Sequence, residues 1–129
     1  MRKVLYMLIG IPLLGFSMGG QPDITASVKA LLIDKAGKKH KVDALICDDK
    51  TFFEVQDGDV TLKIPFDKIQ KVEILPSKEP DKVLAVIKFK NGQERKFLLP
   101  KDVLCVGLTP VGTLEAYIDH LKEIDFLSN

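Results

Sequence analysis

The chain has 129 residues, 19 basic against 18 acidic, with two histidines, two cysteines and no tryptophan. That length suits one small domain with a modest core. A net charge of +1 with interspersed signs leaves no electrostatic case for nucleic-acid binding.

The sequence opens Met1-Arg2-Lys3 and then runs from Val4 to Met18 without a charge. A basic start followed by an apolar stretch is the pattern of an export signal. Ser17 and Gly19 are small enough for the −3 and −1 positions of a cut after Gly19. The apolar run is slightly short of the roughly 20 residues of a spanning helix. The expectation is a signal peptide over residues 1–20 and a periplasmic or secreted domain beyond it. Left uncleaved, that segment would be the membrane contact. Without it the charge balance is −1, and Arg95 is the one remaining arginine. A protein built to grip phosphates or carboxylates bidentately normally uses more.

Turn signals punctuate the rest. Ala36-Gly37 is a weak turn between Val28–Ile33 and Lys39–Ile46. Asp57-Gly58 is a strong two-residue hairpin loop, both positions of which need positive φ. It sets Val55 against Val60, Glu54 against Thr61 and Phe53 against Leu62, with apolar residues on one face. Asn91-Gly92 separates Val83–Phe89 from Glu94–Leu99 in the same way. The polar stretch 76–81, with two prolines, reads as a linker.

Two similar segments flank that linker. Ile64–Leu75 reads IPFDKIQKVEIL and Ala116–Leu127 reads AYIDHLKEIDFL. An offset of 52 aligns Phe66 with Ile118, Asp67 with Asp119, Ile69 with Leu121, Val72 with Ile124 and Ile74 with Phe126. Upstream, Gly37 and Gly92 match at an offset of 55. The pattern predicts one β-rich domain over 24–127 made of two repeats, 24–75 and 82–127. Thr113–Ile124 taken alone has helical spacing, with Thr113 as an N-cap. The match to a strand carrying Pro65, which sits badly in a helix interior, favours strand, one helical turn at 119–121, then strand. The expected fold is all-β: a small antiparallel β-barrel or sandwich of two tandem β repeats, each with one short helical turn before its last strand.

That strand–turn–strand unit, with Ile69 as a plug at the mouth of the sheet, resembles the device of SH3 and PRC barrels. Gly107-Leu108-Thr109-Pro110-Val111-Gly112 followed by the second copy resembles a pattern in exported bacterial β-rich proteins of unassigned function. The resemblance covers 58–75 and 107–126 and implies a fold class and a location, not an activity.

Chemistry is sparse. Cys47 and Cys105 permit one disulfide in an exported protein, or stand as two buried thiols. With His40 and His120 they lack zinc-ligand spacing, so no metal or cofactor is expected. Asp48-Asp49 and Asp57-Gly58-Asp59 lack the ligand spacing of a calcium loop. Asp67 and Asp119 recur as a conceivable acid–base pair, but each suits capping the turn beside it. There is no Gly-x-Ser-x-Gly elbow and no phosphate loop. Lys35, Lys38, Lys39 and Lys41 form a basic cluster that reads as a charged edge strand. These features lead to the expectation of a non-enzymatic envelope protein that works by binding another envelope protein, with no catalytic residues and no identifiable binding residues. The alternative is a small-ligand or metal-binding periplasmic protein.

Overall fold

The computed structural model describes residues 28–127. The expected signal peptide, residues 1–20, and the start of the domain at 24 lie outside the described residues. Ten strands run antiparallel: β1 (Lys29–Asp34), β2 (Lys39–Cys47), β3 (Phe52–Asp57), β4 (Val60–Pro65), β5 (Ile69–Pro76), β6 (Lys82–Phe89), β7 (Glu94–Pro100), β8 (Leu104–Thr109), β9 (Gly112–Tyr117) and β10 (Leu121–Leu127). Short 3₁₀ turns at Phe66–Lys68 and Ile118–His120 precede β5 and β10. Eight strands form one sheet in the order β7-β6-β5-β10-β1-β2-β8-β9, and β3-β4 form a second. The fold is all-β, an antiparallel arrangement of the sandwich or barrel kind.

The strands follow from alternation. In β6, Val83, Ala85 and Ile87 are buried while the residues between them are not, the period-two pattern of a half-buried strand. The inward residues of all the strands meet in one core. Phe66 packs tilted between Phe53 and Phe126, with ring centroids 4.8 and 5.1 Å away. Burying a side chain of this size stabilises by roughly 2–3 kcal/mol.

At the centre of the sheet β5 pairs with β10, and the register is self-complementary. Val72 lies opposite Ile124, Lys71 opposite Asp125 and Glu73 opposite Glu123. Val72 and Ile124 are equivalent at the 52-residue offset, so like meets like. Outward on each side the ladders repeat. Leu32 faces Ile124 on β1, and Ile87 faces Val72 on β6. Both ladders carry an irregularity at the same place, skipping Lys122 in one and Gln70 in the other. Ala30↔Val42 and Leu32↔His40 on one side match Ala85↔Phe97 and Ile87↔Arg95 on the other.

The order of pairing divides the sheet into two lobes. One is contiguous, β3 to β7. The other combines β1-β2 from the start of the described chain with β8-β10 from its end. The β1-β2 hairpin thus completes the lobe of the second sequence half, and β6-β7 completes that of the first. The stretch 76–81 is the tip of a hairpin, because Pro76 pairs with Val83 across it. Ser77 Oγ donates within this loop, 2.7 Å from the Lys82 carbonyl.

Thr113–Ile124 contains no α-helix. Thr113 pairs with Leu108 in β9, and the 3₁₀ turn falls at Ile118–His120, one residue earlier than expected. Tertiary hydrogen bonding overrides the helical spacing. Ile118 N–H donates to Val103 O at 2.8 Å, as Phe66 N–H does to Thr51 O at 2.9 Å. Three expectations need correction. The β3-β4 loop is Gly58-Asp59, so Val55 lies opposite Leu62 and Phe53 opposite Ile64. Only Gly58 has positive φ, at 68°, which matches a turn with glycine at its first central position rather than one needing two positive φ values. The two-residue shift keeps every side chain on its expected face. Asp67 and Asp119 cap nothing; Pro65 and Tyr117 hold the cap positions, without side-chain hydrogen bonds. Finally, β2 is interior in the strand order: its Lys39–Val42 half pairs with β1, and the rest, from Asp43 to Cys47, pairs with β8.

Two features hold β8 on β2. Cys47 and Cys105 pair across the ladder and are joined by a disulfide. They bracket the whole contiguous lobe, with a sequence separation of 58. Closing a loop of that size stabilises by about 4 kcal/mol in the chain-entropy account. The second feature is Gly107, where an added Cβ would lie 2.6 Å from Val42 Cβ. The equivalent pair in the other lobe is Val55 and Phe97. There β3 runs beside β7 without ladder pairing, because the two side chains occupy the space that Gly107 leaves open.

Two outcomes follow for stability. Gly107→Ala forces β8 off Val42 and lowers stability by about 1–3 kcal/mol in denaturant titration, with loss of amide protection in β8 by hydrogen exchange. Reducing the disulfide, or Cys47→Ala with Cys105→Ala, lowers Tm by roughly 10 °C or more while the β-sheet circular dichroism at room temperature persists.

Candidate functional site

The inward face of each hairpin ends at the mouth of its lobe, where polar residues replace the core. In the contiguous lobe that position belongs to Arg95, next in alternation after Phe97. Its guanidinium lies 4.9 Å from the Phe97 ring centroid and 3.1 Å from Asp57 Oδ2, on the inward side of β3. The ion pair closes this mouth.

The other mouth is built from the equivalent residues and comes out differently. His40 stands for Arg95 and Thr109 for Asp57. With no carboxylate at Thr109, His40 turns back and donates through Nε2 to Asp34 Oδ2 at 3.0 Å. Asp34 Oδ1 accepts from the Ala36 and Lys38 N–H groups, both at 2.9 Å. The hydrogen bond from His40, followed by that from Lys38, holds the Asp34 carboxyl below its ordinary pKa. Thr109 Oγ1 donates to Gly112 O at 2.8 Å and accepts from Val111 N–H at 3.2 Å. The loop is thereby fixed by its own hydroxyl. Between β2 and this loop lies an open cleft of about 490 Å³, lined by His40, Lys41, Thr109, Val111, Gly112, Thr113 and Leu114. Val111, at its rim, is 97% exposed.

The other candidate residues do not assemble. Cys47 and Cys105 are spent on each other. His120 is exposed beside Asp119, 3.8 Å away. Asp67 and Asp119 sit at opposite ends of the central strand pair. Ile69 and Leu121 lie three residues to either side of the Val72–Ile124 pair, about 20 Å apart along the strands at ~3.3 Å per residue. They form no common acid–base site. Asp48 braces the disulfide: its Oδ1 accepts from Leu104 N–H at 3.0 Å. Among the described residues no three histidine, cysteine or acidic side chains converge as a metal site would require. The Asp34–His40 and Asp57–Arg95 pairs were missed by sequence reasoning. The 55-residue match of His40 to Arg95 was the signal available.

On the outer face, the centre of symmetry gathers like charges. Glu123 lies opposite Glu73 and two residues from Asp125. Its pKa is raised, first by a hydrogen bond with Asp125, then by burial and by the Asp125 charge, with Lys71 opposing. Folded Glu123 therefore keeps its proton to higher pH than unfolded glutamate. The stability that this supplies is complete below the ordinary value of 4.5 and is lost as pH rises through the folded value. Glu123→Gln keeps a donor toward Asp125 without the charge. Its Tm should exceed that of the native chain at pH 7, with the gap closing toward pH 4, measured by thermal scans across that range.

The comparisons with known proteins point to one family. An uncharacterized protein of Aquifex aeolicus (strain VF5) is 31% identical over 129 residues, covering 98% of this chain and 96% of the relative. The family model described as "Uncharacterised protein" matches residues 25–129 and so spans both lobes. The chain belongs to this family of uncharacterised proteins.

Proposed function

We propose that this chain is a non-enzymatic exported β-domain that acts as a binding or accessory module of the bacterial cell envelope. The observation that carries this reading is the contrast between the mouths. One is sealed by Arg95–Asp57, and the other is open, apolar at its rim and basic on one wall. A rigid scaffold presenting one such cleft is suited to recognition. The acids that a reaction would recruit, Asp67 and Asp119, are apart.

A leader over residues 1–20 and the Cys47–Cys105 disulfide both suit an oxidising compartment. The matching ladders are the basis for reading the halves as a tandem duplication of a unit like that of SH3 and PRC barrels. The alternative, a small-ligand or metal-binding periplasmic protein, loses its two thiol ligands for a metal to the disulfide and is left with His40 on β2 and His120 on the 3₁₀ turn before β10.

Fractionation of cells expressing the full chain tests the location. The expected product is periplasmic or secreted, begins at Gly20 by mass spectrometry and carries the disulfide; a full-length, reduced, cytoplasmic product contradicts it. Photo-crosslinking from position 111 tests the surface. A discrete adduct with an envelope protein is expected there and not from position 90, in the other lobe. Equal or absent adducts at both positions count against the cleft.

A further inference from the structure

The chain carries, in its sealed lobe, an internal image of what the open lobe lacks. Arg95 is met by the Asp57 carboxylate at 3.1 Å. At the equivalent places the open lobe has His40 and Thr109: no acid stands where Asp57 does, and His40 is bonded instead to Asp34 of its own hairpin. The surroundings are cationic. Lys35, Lys38, Lys39 and Lys41 are exposed, and among the described residues none lies within ion-pair distance of a carboxylate. Acids also stand near them: Asp34, already bonded to His40; Asp43, which lies opposite Leu108; and Asp119, beside His120, whose carbonyl accepts from Lys35 N–H. The backbone is also incomplete here. Lys39–Val42 pairs with β1 on one side, whereas pairing with β8 starts only at Asp43. A free strand edge beside a cationic wall accepts an extended acidic chain, through main-chain hydrogen bonds and charge complementarity.

We propose that the open mouth takes an extended acidic segment of a partner protein, one carboxylate of which fills the place that Asp57 fills in the sealed lobe. This rests on the binding-module reading and gives the partner its chemistry. Lys41 and the neighbouring lysines attract the segment, Val111 and Leu114 contact its apolar residues, and Thr109 leaves room for the incoming acid. Because the charges are exposed, the affinity falls as salt is raised.

The test uses the isotope-labelled, oxidised domain and two blocked heptapeptides, one alternating glutamate with valine and the other glutamine with valine. The glutamate peptide is expected to shift the amide signals of Lys41, Thr109 and Gly112 and to bind about tenfold or more tightly than its glutamine counterpart. Thr109→Asp supplies the acid internally and should abolish the shifts. Asp57→Thr opens the sealed mouth and should add a second set of shifts around Arg95. Dispersed spectra of both variants establish that they are folded. Equal binding of the two peptides, shifts elsewhere on the domain, or capture by phosphatidylglycerol vesicles without peptide binding overturns the proposal. Crosslinked capture of the same envelope protein by the native chain and by Thr109→Asp also overturns it, while the binding-module reading stands. No peptide binding and no capture by either overturns both.

Discussion

The pairing of β5 with β10 organises everything else. Val72 and Ile124 sit fully buried at its centre, and the residues on either side of them exchange places across an approximate twofold axis. An antiparallel pair is the arrangement in which a strand can meet its own equivalent with every side chain on the same face. Each member then has a free edge, and onto these edges β1 and β6 add in matching register. On the solvent side the second half departs from the plan: Glu123 stands where the first half has Lys71, so Glu73 faces Glu123 while Lys71 faces Asp125.

From that symmetric centre the two lobes diverge outward, and the divergence has a steric origin. Gly107 lets β8 approach Val42 closely enough to join the main sheet, and the disulfide fixes that approach. Val55 opposite Phe97 holds β3 away from β7, which leaves β3-β4 as a separate hairpin packed on the core. Three residues that the first half carries beyond the second are taken up near this junction, where Ala44, Asp48 and Asp49 all have positive φ. A small set of positions therefore turns a symmetric plan into two unlike mouths.

The mouths illustrate how an ion pair can matter for access more than for stability. Arg95–Asp57 is half exposed, and a pair of that kind contributes little to folding. Its consequence is steric and electrostatic closure. Across the axis a histidine, bonded to a carboxylate in its own hairpin, stands in the place of Arg95, and a threonine committed to holding its loop stands in the place of Asp57. The opening left there borders the Lys39–Val42 part of β2, whose edge toward β8 has no ladder. Shape, charge and backbone availability coincide at one place in the molecule.

The sequence by itself determined the all-β class, the strand–turn–strand order and the 52- and 55-residue correspondences. These rest on local signals: period-two alternation, glycine turns and a proline that rules out a helix interior. It also placed the apolar faces correctly even where the hairpin register was off by two, because that shift preserves side-chain parity. Only the tertiary structure decided which hairpin completes which lobe, that Cys47 lies beside Cys105, and that one mouth is closed and the other open. Those depend on contacts between residues far apart in the chain, such as Asp57 with Arg95 and Val42 with Gly107. No local preference encodes them; they follow from which backbones can approach and which side chains then meet.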